Sequence, residues 1–176
     1  MSRWVGVVCD ASLADGPPAH LDATLESLLD SRADLVSTHV DRAGVVASVV
    51  VAARVSRLPD VDELAARLGG PVVVDPVDGP TGRAVTAARS GTDGRCVRFP
   101  GQALLGGTHT VAEIVDTSAI DRVIGVGVPV EADTVVMMGG FLRPTFVRGR
   151  LVLLVEPVAG GVGPIEHAEP HQCCGH

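Results

Sequence analysis

The spacing of apolar positions at the start of the chain predicts two helices among several strands. From His20 to Ala33 the leucines recur every three or four residues, with acidic residues on the opposite face, which indicates an amphipathic helix. A second helix is predicted from Asp60 to Leu68, between Pro59 and two glycines. Short runs rich in valine predict strands at Arg3 to Cys9, Leu35 to Val40, Val45 to Val55 and Pro71 to Pro76.

These elements follow one another in the order β-α-β-β-α-β. That order is the ferredoxin-like split βαβ pattern, so residues 1–78 are interpreted as a ferredoxin-like unit and the fold class as α/β, in the α+β sense. Enzymes, metal-carrying domains and small-molecule sensors all use this topology. The fold prediction therefore leaves the function open.

The second half of the chain has a different pattern, in which glycine and proline separate short valine-rich runs. Strands are predicted at 96–99, 123–130 and 134–138. The clearest feature is a hairpin that joins 144–147 to 150–155 through the turn residues Arg148 and Gly149. This half is therefore predicted to be mainly β.

Two stretches of the second half are harder to assign from periodicity. One or two helical turns are predicted at 83–89, whereas the apolar positions of 111–124 fit neither the helical nor the strand period. The change in pattern near residue 78 sets the predicted boundaries. We expect a ferredoxin-like unit at 1–78, a mainly β unit at 79–164 and a short Cys/His-rich tail at 165–176.

The charged residues remove several classes of function. The net charge is −7 and the arginines are not clustered, so we expect no nucleic-acid partner. All 14 basic residues are arginine, and the chain has neither lysine nor tyrosine. Chemistry that needs a lysine Schiff base, a phosphate-loop lysine or a tyrosine acid is therefore excluded.

The apolar runs are too short to predict a membrane protein. None approaches the length that crosses a bilayer, and the run that starts near Arg3 reaches the charge of Asp10 too soon for a signal peptide. We therefore expect a cytoplasmic protein with no membrane partner. In that compartment the four cysteines are expected as reduced thiols or metal ligands rather than as disulfides.

The densest collection of metal-ligand residue types lies in the last ten residues, which hold three of the six histidines and two of the four cysteines. Imidazole and thiolate groups suit Zn²⁺ or copper, and four of them could surround one ion. The spacing matches no standard zinc framework, because the two cysteines are adjacent. Zinc is favoured over copper, and the predicted ligands are His167, His171, Cys173, Cys174 and His176.

Two other interpretations of the tail stay open. Terminal residues are commonly solvated and without fixed structure, which makes an unstructured tail as good an account as a metal site. The Cys173-Cys174 pair could instead carry thiol redox or nucleophilic chemistry. If a metal is bound and catalytic, it would activate water or a substrate beside an acid such as Glu166 or Glu169.

Two further residues are candidates for a site. His109 follows a Gly-Gly pair that lets a ligand approach the backbone, and it is the predicted catalytic acid or base or an extra metal ligand. Arg143 lies between a Gly-Gly pair and the hairpin, where its guanidinium could clamp a carboxylate or phosphate of a cofactor. The plainer alternatives are a surface histidine in a turn and an arginine paired with a nearby acid.

The leading functional hypothesis is a cytoplasmic transition-metal-binding protein, either a metalloenzyme or a metal-handling protein. The alternative is a non-enzymatic module that binds a small molecule or forms a homo-oligomer through a sheet edge. The long apolar run from Val45 to Val55 favours the oligomer, because exposed apolar strands attract partners. A metal-free enzyme that uses His109 or a cysteine thiolate is a third possibility.

Overall fold

A computed structural model describes residues 2–14 and 18–167 of the chain. Within these residues the helices are α1 (Ala11–Ala14), α2 (Pro18–Leu29), α3 (Val61–Leu68), α4 (Gly79–Ser90) and α5 (Val111–Thr117). The strands are β1 (Arg3–Val8), β2 (Ala33–Asp41), β3 (Ser48–Val55), β4 (Val72–Val74), β5 (Arg95–Arg98), β6 (Gly107–Thr110), β7 (Arg122–Gly125), β8 (Val135–Met138), β9 (Thr145–Val147), β10 (Arg150–Val158) and β11 (Gly161–Pro164). The described part of the chain holds no helix long and apolar enough to span a membrane.

All of these strands belong to one sheet, which confirms the predicted mixed α/β fold. The strand order is β4-β1-β3-β2-β5-β9-β10-β11-β8-β6, and β7 pairs with β10 outside this path. Most neighbours are antiparallel, and the exceptions are the parallel pairs of β7 with β10 and of β8 with β11. Helices lie on both faces of the first half of the sheet.

The first four strands lie in the order β4-β1-β3-β2, and each neighbouring pair is antiparallel. The sheet does not end there, because β5 pairs with the outer edge of β2. Helix α4, which begins the predicted second unit, packs on β1 and β3 of the first. The ferredoxin-like unit and the boundaries at 78 and 164 therefore stay predictions, since the sheet and its packing run across residue 78.

The central strand β3 explains how two cores form. Its side chains alternate between the two faces of the sheet, as strand geometry requires. Val51, Ala53 and Val55 join a core with the leucines of α2 and α3, whereas Val50 and Ala52 join a core beneath α4 that continues into the second half. Strand β3 begins at Ser48 and lies between β1 and β2, so it offers no free edge to a second copy of the chain. The predicted homo-oligomer stays a prediction.

Local signals set the ends of the predicted helix α3 and the start of α5, which the sequence left ambiguous. The Asp60 carboxylate accepts hydrogen bonds from the backbone N–H groups of Asp62 and Glu63, and Gly69 ends α3 in the left-handed region at a φ of 76°. Helix α5 begins at a capping box, in which Thr110 and Glu113 bond each other's backbone N–H groups. A short helix that is followed, after residues 118–121, by β7 explains why residues 111–124 fitted neither period.

Helix α4 is longer than the one or two turns that the sequence predicted. It packs close to β1 at Gly6, where a Cβ atom would lie 2.6 Å from Cβ of Thr81. Glycine at this position lets the helix backbone approach the sheet. Helix α4 thus covers one face of the first half, and α2 and α3 cover the opposite face.

Candidate ligand-binding cavity

A cavity of about 360 Å³ lies between the start of α2 and the β2-β5 part of the sheet. Its size suits a small metabolite. One part of the wall is apolar and consists of Leu13, Pro18, Leu21, Val40 and Val49. The other part is formed by Asp22, Thr38, His39, Arg42, Asp93, Gly94, Arg95 and Thr145.

His39 is the polar side chain that the fold places most unusually. It lies on β2 two residues after Ser37, so the two side chains share one face of the strand, and their exposures are only 5% and 0%. The Nε2 atom of His39 lies 2.9 Å from the Ser37 hydroxyl oxygen. That hydroxyl also lies 3.4 Å from the carbonyl oxygen of Ala52 on β3. One side of the imidazole is thus tied into the sheet.

The other ring nitrogen of His39 is buried without a hydrogen-bond partner. Among the described residues it is the one buried side-chain nitrogen or oxygen in this condition. The nearest carboxylate oxygen is Oδ2 of Asp93, 3.8 Å from Nδ1, which is beyond hydrogen-bond distance. Burial lowers the pKa of His39 below its ordinary value, and the Asp93 carboxylate opposes this shift only in part. The ring is therefore neutral at pH 7, with Nδ1 unsatisfied.

Gly94 allows the imidazole to occupy this position. Its φ of 120° lies in the region that favours glycine, and a Cβ atom there would overlap the His39 ring, only 3.0 Å from Nδ1. Asp93 and Gly94 form the loop that leads into β5. The loop therefore holds a carboxylate beside the ring and leaves the space that the ring needs.

A buried ionic cluster lies beside the cavity and is centred on Asp22 of α2. Asp22 is 1% exposed and accepts two hydrogen bonds from Arg95, at 2.9 and 2.8 Å, and one from Nε of Arg143 at 2.7 Å. One buried carboxylate thus faces two guanidinium groups. Because charge-assisted bonds of this length are strong, they fix α2 against β5 and the segment before β9.

Two more acids complete this cluster. Nε of Arg95 donates to Glu166 at 2.6 Å, and Arg143 donates to Glu26 at 2.9 Å. The carbonyl oxygen of Leu142 takes a further bond from Arg143. The cluster of Asp22, Glu26, Arg95, Arg143 and Glu166 is therefore close to electrically balanced, with two cations and three anions.

The structure places Arg143 inside this cluster. All three guanidinium nitrogens donate to protein oxygens, and the group lies 4.0 Å from the centre of the Phe141 ring. The sequence left two interpretations of Arg143 open, a clamp for a cofactor and an arginine that pairs with nearby acids. The observed geometry is the one expected for the second. The cofactor-binding role of Arg143 stays a prediction, and a ligand would have to compete with Asp22 and Glu26 for it.

His109 lies at another place in the fold, on β6. Its Nε2 atom is 2.9 Å from the carbonyl oxygen of Gly106, and its Nδ1 atom is 3.9 Å from the Glu113 carboxylate. Glu113 is also the acid of the α5 capping box. Among the described residues, the cavity wall does not include His109. Its catalytic role stays a prediction, and the structure does not bring it to His39.

One predicted metal ligand, His167, lies within the described residues. Its Nε2 atom is 3.6 Å from Oε1 of Glu156 on β10. The other predicted ligands lie outside the described residues, and they are His171, Cys173, Cys174 and His176. Within residues 2–14 and 18–167 there is no group of three or more His, Cys, Asp or Glu side chains arranged to hold a metal ion.

Cys9 and Cys96, the two cysteines among the described residues, are buried free thiols. Burial raises the pKa of Cys9 to about 11 and that of Cys96 to about 12. Both thiols are therefore protonated at pH 7, whereas the nucleophile of cysteine chemistry is the thiolate. The hypothesis of a metal-free enzyme gains no support from either residue.

Comparison with known proteins adds no family. No family model matches the chain, and neither a curated protein nor a solved structure matches it. The cavity must therefore be interpreted from its own residues.

The sequence prediction did not find His39, Asp22 or Asp93. Two signals for them were nevertheless present. Asp22 lies three residues before Leu25, on the apolar face of its helix, where a carboxylate needs a buried partner. His39 follows Ser37 on the inner face of an apolar strand. Neither signal could identify the partner, because Asp93 and Arg95 are remote in sequence.

Proposed function

We propose that this protein binds a small molecule in the cavity between α2 and the β2-β5 part of the sheet. The observation that carries the proposal is the cavity of about 360 Å³ itself, which combines an apolar wall with the polar side chains of Thr38, Arg42 and Asp93.

The shape and composition of the cavity support the same function. An apolar wall gives a ligand area to bury, and a few polar groups fix its orientation, as in most small-molecule sites. The cluster around Asp22 holds that wall rigid, because it ties α2 to β5. A preformed wall reduces the ordering cost of binding.

The pair of Ser37 and His39, with Asp93 nearby, has the residue types of a hydrolase triad, but its geometry favours binding instead. Ser37 has an exposure of 0% and is not part of the cavity wall, so a substrate carbonyl could not reach its hydroxyl oxygen. A nucleophile must lie within attack distance of the reacting atom. We therefore propose a binding module rather than a serine enzyme.

The test is a fragment screen observed by the backbone NMR signals of the residues that line the cavity. We expect fragments that fit about 360 Å³ to shift these signals in a saturable way. The variant Val40→Trp places a large ring in the cavity wall, so it should lose binding. The control Val147→Trp adds the same ring on β9 at a similarly exposed position outside the cavity wall, and it should bind normally. Equal binding by both variants, or no saturable shift in a broad screen, would refute the proposal.

Metal binding by the tail is a separate proposal. It is supported by the residue types of the last ten residues and by the position of His167 beside the Glu156 carboxylate. Zinc is favoured over copper for a mixed imidazole and thiolate set. A cytoplasmic location belongs to this proposal, because a reducing compartment keeps such thiols free to bind a metal.

A further inference from the structure

The loop that joins β2 to β3 is apolar and exposed. Residues 43–47, which we call the hairpin tip, have the sequence Ala-Gly-Val-Val-Ala, and all five are exposed. Val45 is fully exposed and Val46 is 79% exposed. The sequence predicted a strand from Val45 onward, but β3 begins only at Ser48, so both valines lie outside the sheet. A run of exposed apolar residues is rarely kept without a use, and it indicates an interaction surface.

The cavity opens beside the hairpin tip. Its wall includes Val40 and Arg42 just before the tip and Val49 just after it. The wall has apolar residues in contact with solvent, since Pro18 is exposed and Val40 is 45% exposed. One face of the molecule therefore carries both an exposed apolar segment and an apolar recess.

A surface of this kind is self-complementary. In a dimer with two-fold symmetry, a patch on one copy contacts the same patch on the other. The hairpin tip of each copy can then pack against Val40 and Pro18 of the other copy. Such packing removes Val45 and Val46 of both copies from water, which is the main driving force of protein association.

Two charged residues at the cavity support the same arrangement. Arg42 precedes the hairpin tip and forms no ion pair with another described residue. Asp93 lines the same cavity with a side chain that is 69% exposed, and the histidine beside it, His39, is neutral at pH 7. Neither charge therefore has a charged partner within the described part of the chain. A two-fold dimer lets Arg42 of each copy pair with Asp93 of the other.

Other occupants of this face are less favoured. A membrane-binding segment typically carries Trp, Phe or Leu beside several basic residues, whereas the hairpin tip has only small apolar residues and one neighbouring arginine. The net charge of −7 also opposes binding to anionic lipids. A foreign protein would have to supply a recess and two charges that the chain already contains.

We infer that a second copy of this chain docks here, with the hairpin tip of each copy at the cavity mouth of the other. The inference goes beyond the proposed small-molecule site and is tested without a small molecule. It assigns self-association to a loop rather than to a free sheet edge. The valines supply the apolar contact, and the pairs of Arg42 with Asp93 set the orientation of the two copies.

Sedimentation equilibrium of the full chain tests the inference, with a reductant and a chelator present so that the tail cannot link two copies. From about 1 µM to about 1 mM we expect a reversible equilibrium between monomer and dimer. The double variant Val45→Ser, Val46→Ser should weaken the dimer at least about tenfold. The matched control is Val77→Ser, Leu104→Ser, because these residues are 83% and 65% exposed and lie outside the cavity wall. It should leave the dimer unchanged.

A charge exchange tests the orientation of the two copies. The substitution Arg42→Glu places a carboxylate beside Asp93 of the other copy, so it should weaken the dimer about tenfold. Adding Asp93→Arg to the same chain restores opposite charges at both contacts. The combined variant should return the dissociation constant to within about threefold of its original value. Backbone NMR spectra would show that every variant keeps the fold.

Three outcomes would overturn the inference. The first is a protein that stays monomeric over the whole range, and the fragment screen of the cavity would still decide the small-molecule site separately. The second is a dimer that keeps its affinity in the Val45→Ser, Val46→Ser variant or is not restored by the charge exchange. The third is a monomer that binds vesicles of phosphatidylcholine and phosphatidylserine through the two valines, which would assign the hairpin tip to a membrane surface.

Discussion

Nε of Arg143 lies 2.7 Å from Oδ2 of Asp22, and the two side chains are 2% and 1% exposed. The residues are separated by 121 positions in the chain. Arg95 binds the same carboxylate from β5. One acid on α2 therefore pairs with two cations, and its removal leaves Arg95 with Glu166 and Arg143 with Glu26.

The first prediction concerns this carboxylate. The substitution Asp22→Asn should lower the free energy of unfolding by about 1–3 kcal/mol, because it leaves buried guanidinium N–H groups without their carboxylate acceptor, although Arg95 keeps Glu166 and Arg143 keeps Glu26. Urea unfolding followed by circular dichroism measures the change. The control is Asp34→Asn, which removes an exposed ion pair with Arg54 and should cost less than about 1 kcal/mol. Similar losses in the two variants would show that the buried cluster does not stabilise the fold.

The second prediction concerns Gly94. The substitution Gly94→Ala should displace the His39 ring, because the new Cβ atom overlaps it and the φ of 120° is strained for alanine. We expect a loss of stability of about 1–3 kcal/mol and a changed environment of the His39 Cε1–H signal. Gly106→Ala is the control, since a Cβ at Gly106 meets nothing within 4 Å. An unchanged His39 signal in Gly94→Ala would contradict the described ring position.

The third prediction concerns stability at alkaline pH. Burial raises the pKa of Cys96 to about 12 and that of Cys9 to about 11, whereas an unfolded thiol ionises near pH 9. The unfolded chain therefore releases protons that the folded chain keeps. The two protonated thiols therefore contribute their full share of the folding stability below about pH 9. That share is lost as the pH rises toward 11 and 12.

The chain makes this prediction simple to test, because it has no lysine or tyrosine to ionise in the same range. Urea midpoints measured from pH 8 to pH 11.5 should fall in a Cys173→Ser, Cys174→Ser background, in which the tail thiols do not contribute. Adding Cys96→Ala should lower stability at pH 8 but reduce its further decline with pH. A decline of the same slope after removal of Cys96 would assign the pH dependence to other groups.

The fourth prediction concerns metal in the tail. Protein purified without chelators under reducing conditions should contain close to one zinc ion per chain, measured by elemental analysis. A chain that ends at His167 keeps the bond of Glu166 to Arg95 and should contain almost none. Treatment with a chelator should remove the zinc without unfolding the protein, because the described residues form two apolar cores and hold no group arranged to bind a metal ion. Absence of metal from both chains would refute the tail site.

Local patterns in the sequence determined most of the helices and strands. Helix α3, the β9-β10 hairpin and the apolar face of α2 were predicted, because caps, turns and hydrophobic periodicity act over a few residues. Helix α5 was left ambiguous and β11 was missed, since both elements are short. The mixed α/β class followed from these elements alone.

The side chains of the candidate site pair with residues that are remote in the chain. No local pattern in the sequence could identify these partners. The sequence drew attention to Arg143 and His109 by their neighbouring glycines, but only the fold placed Arg143 against Asp22 and left His109 at β6. Only the fold buried Nδ1 of His39 and placed Asp93 beside it through the loop before β5. The physical reason is that burial and pairing of polar groups depend on which strands become neighbours, whereas periodicity reports only which face is apolar.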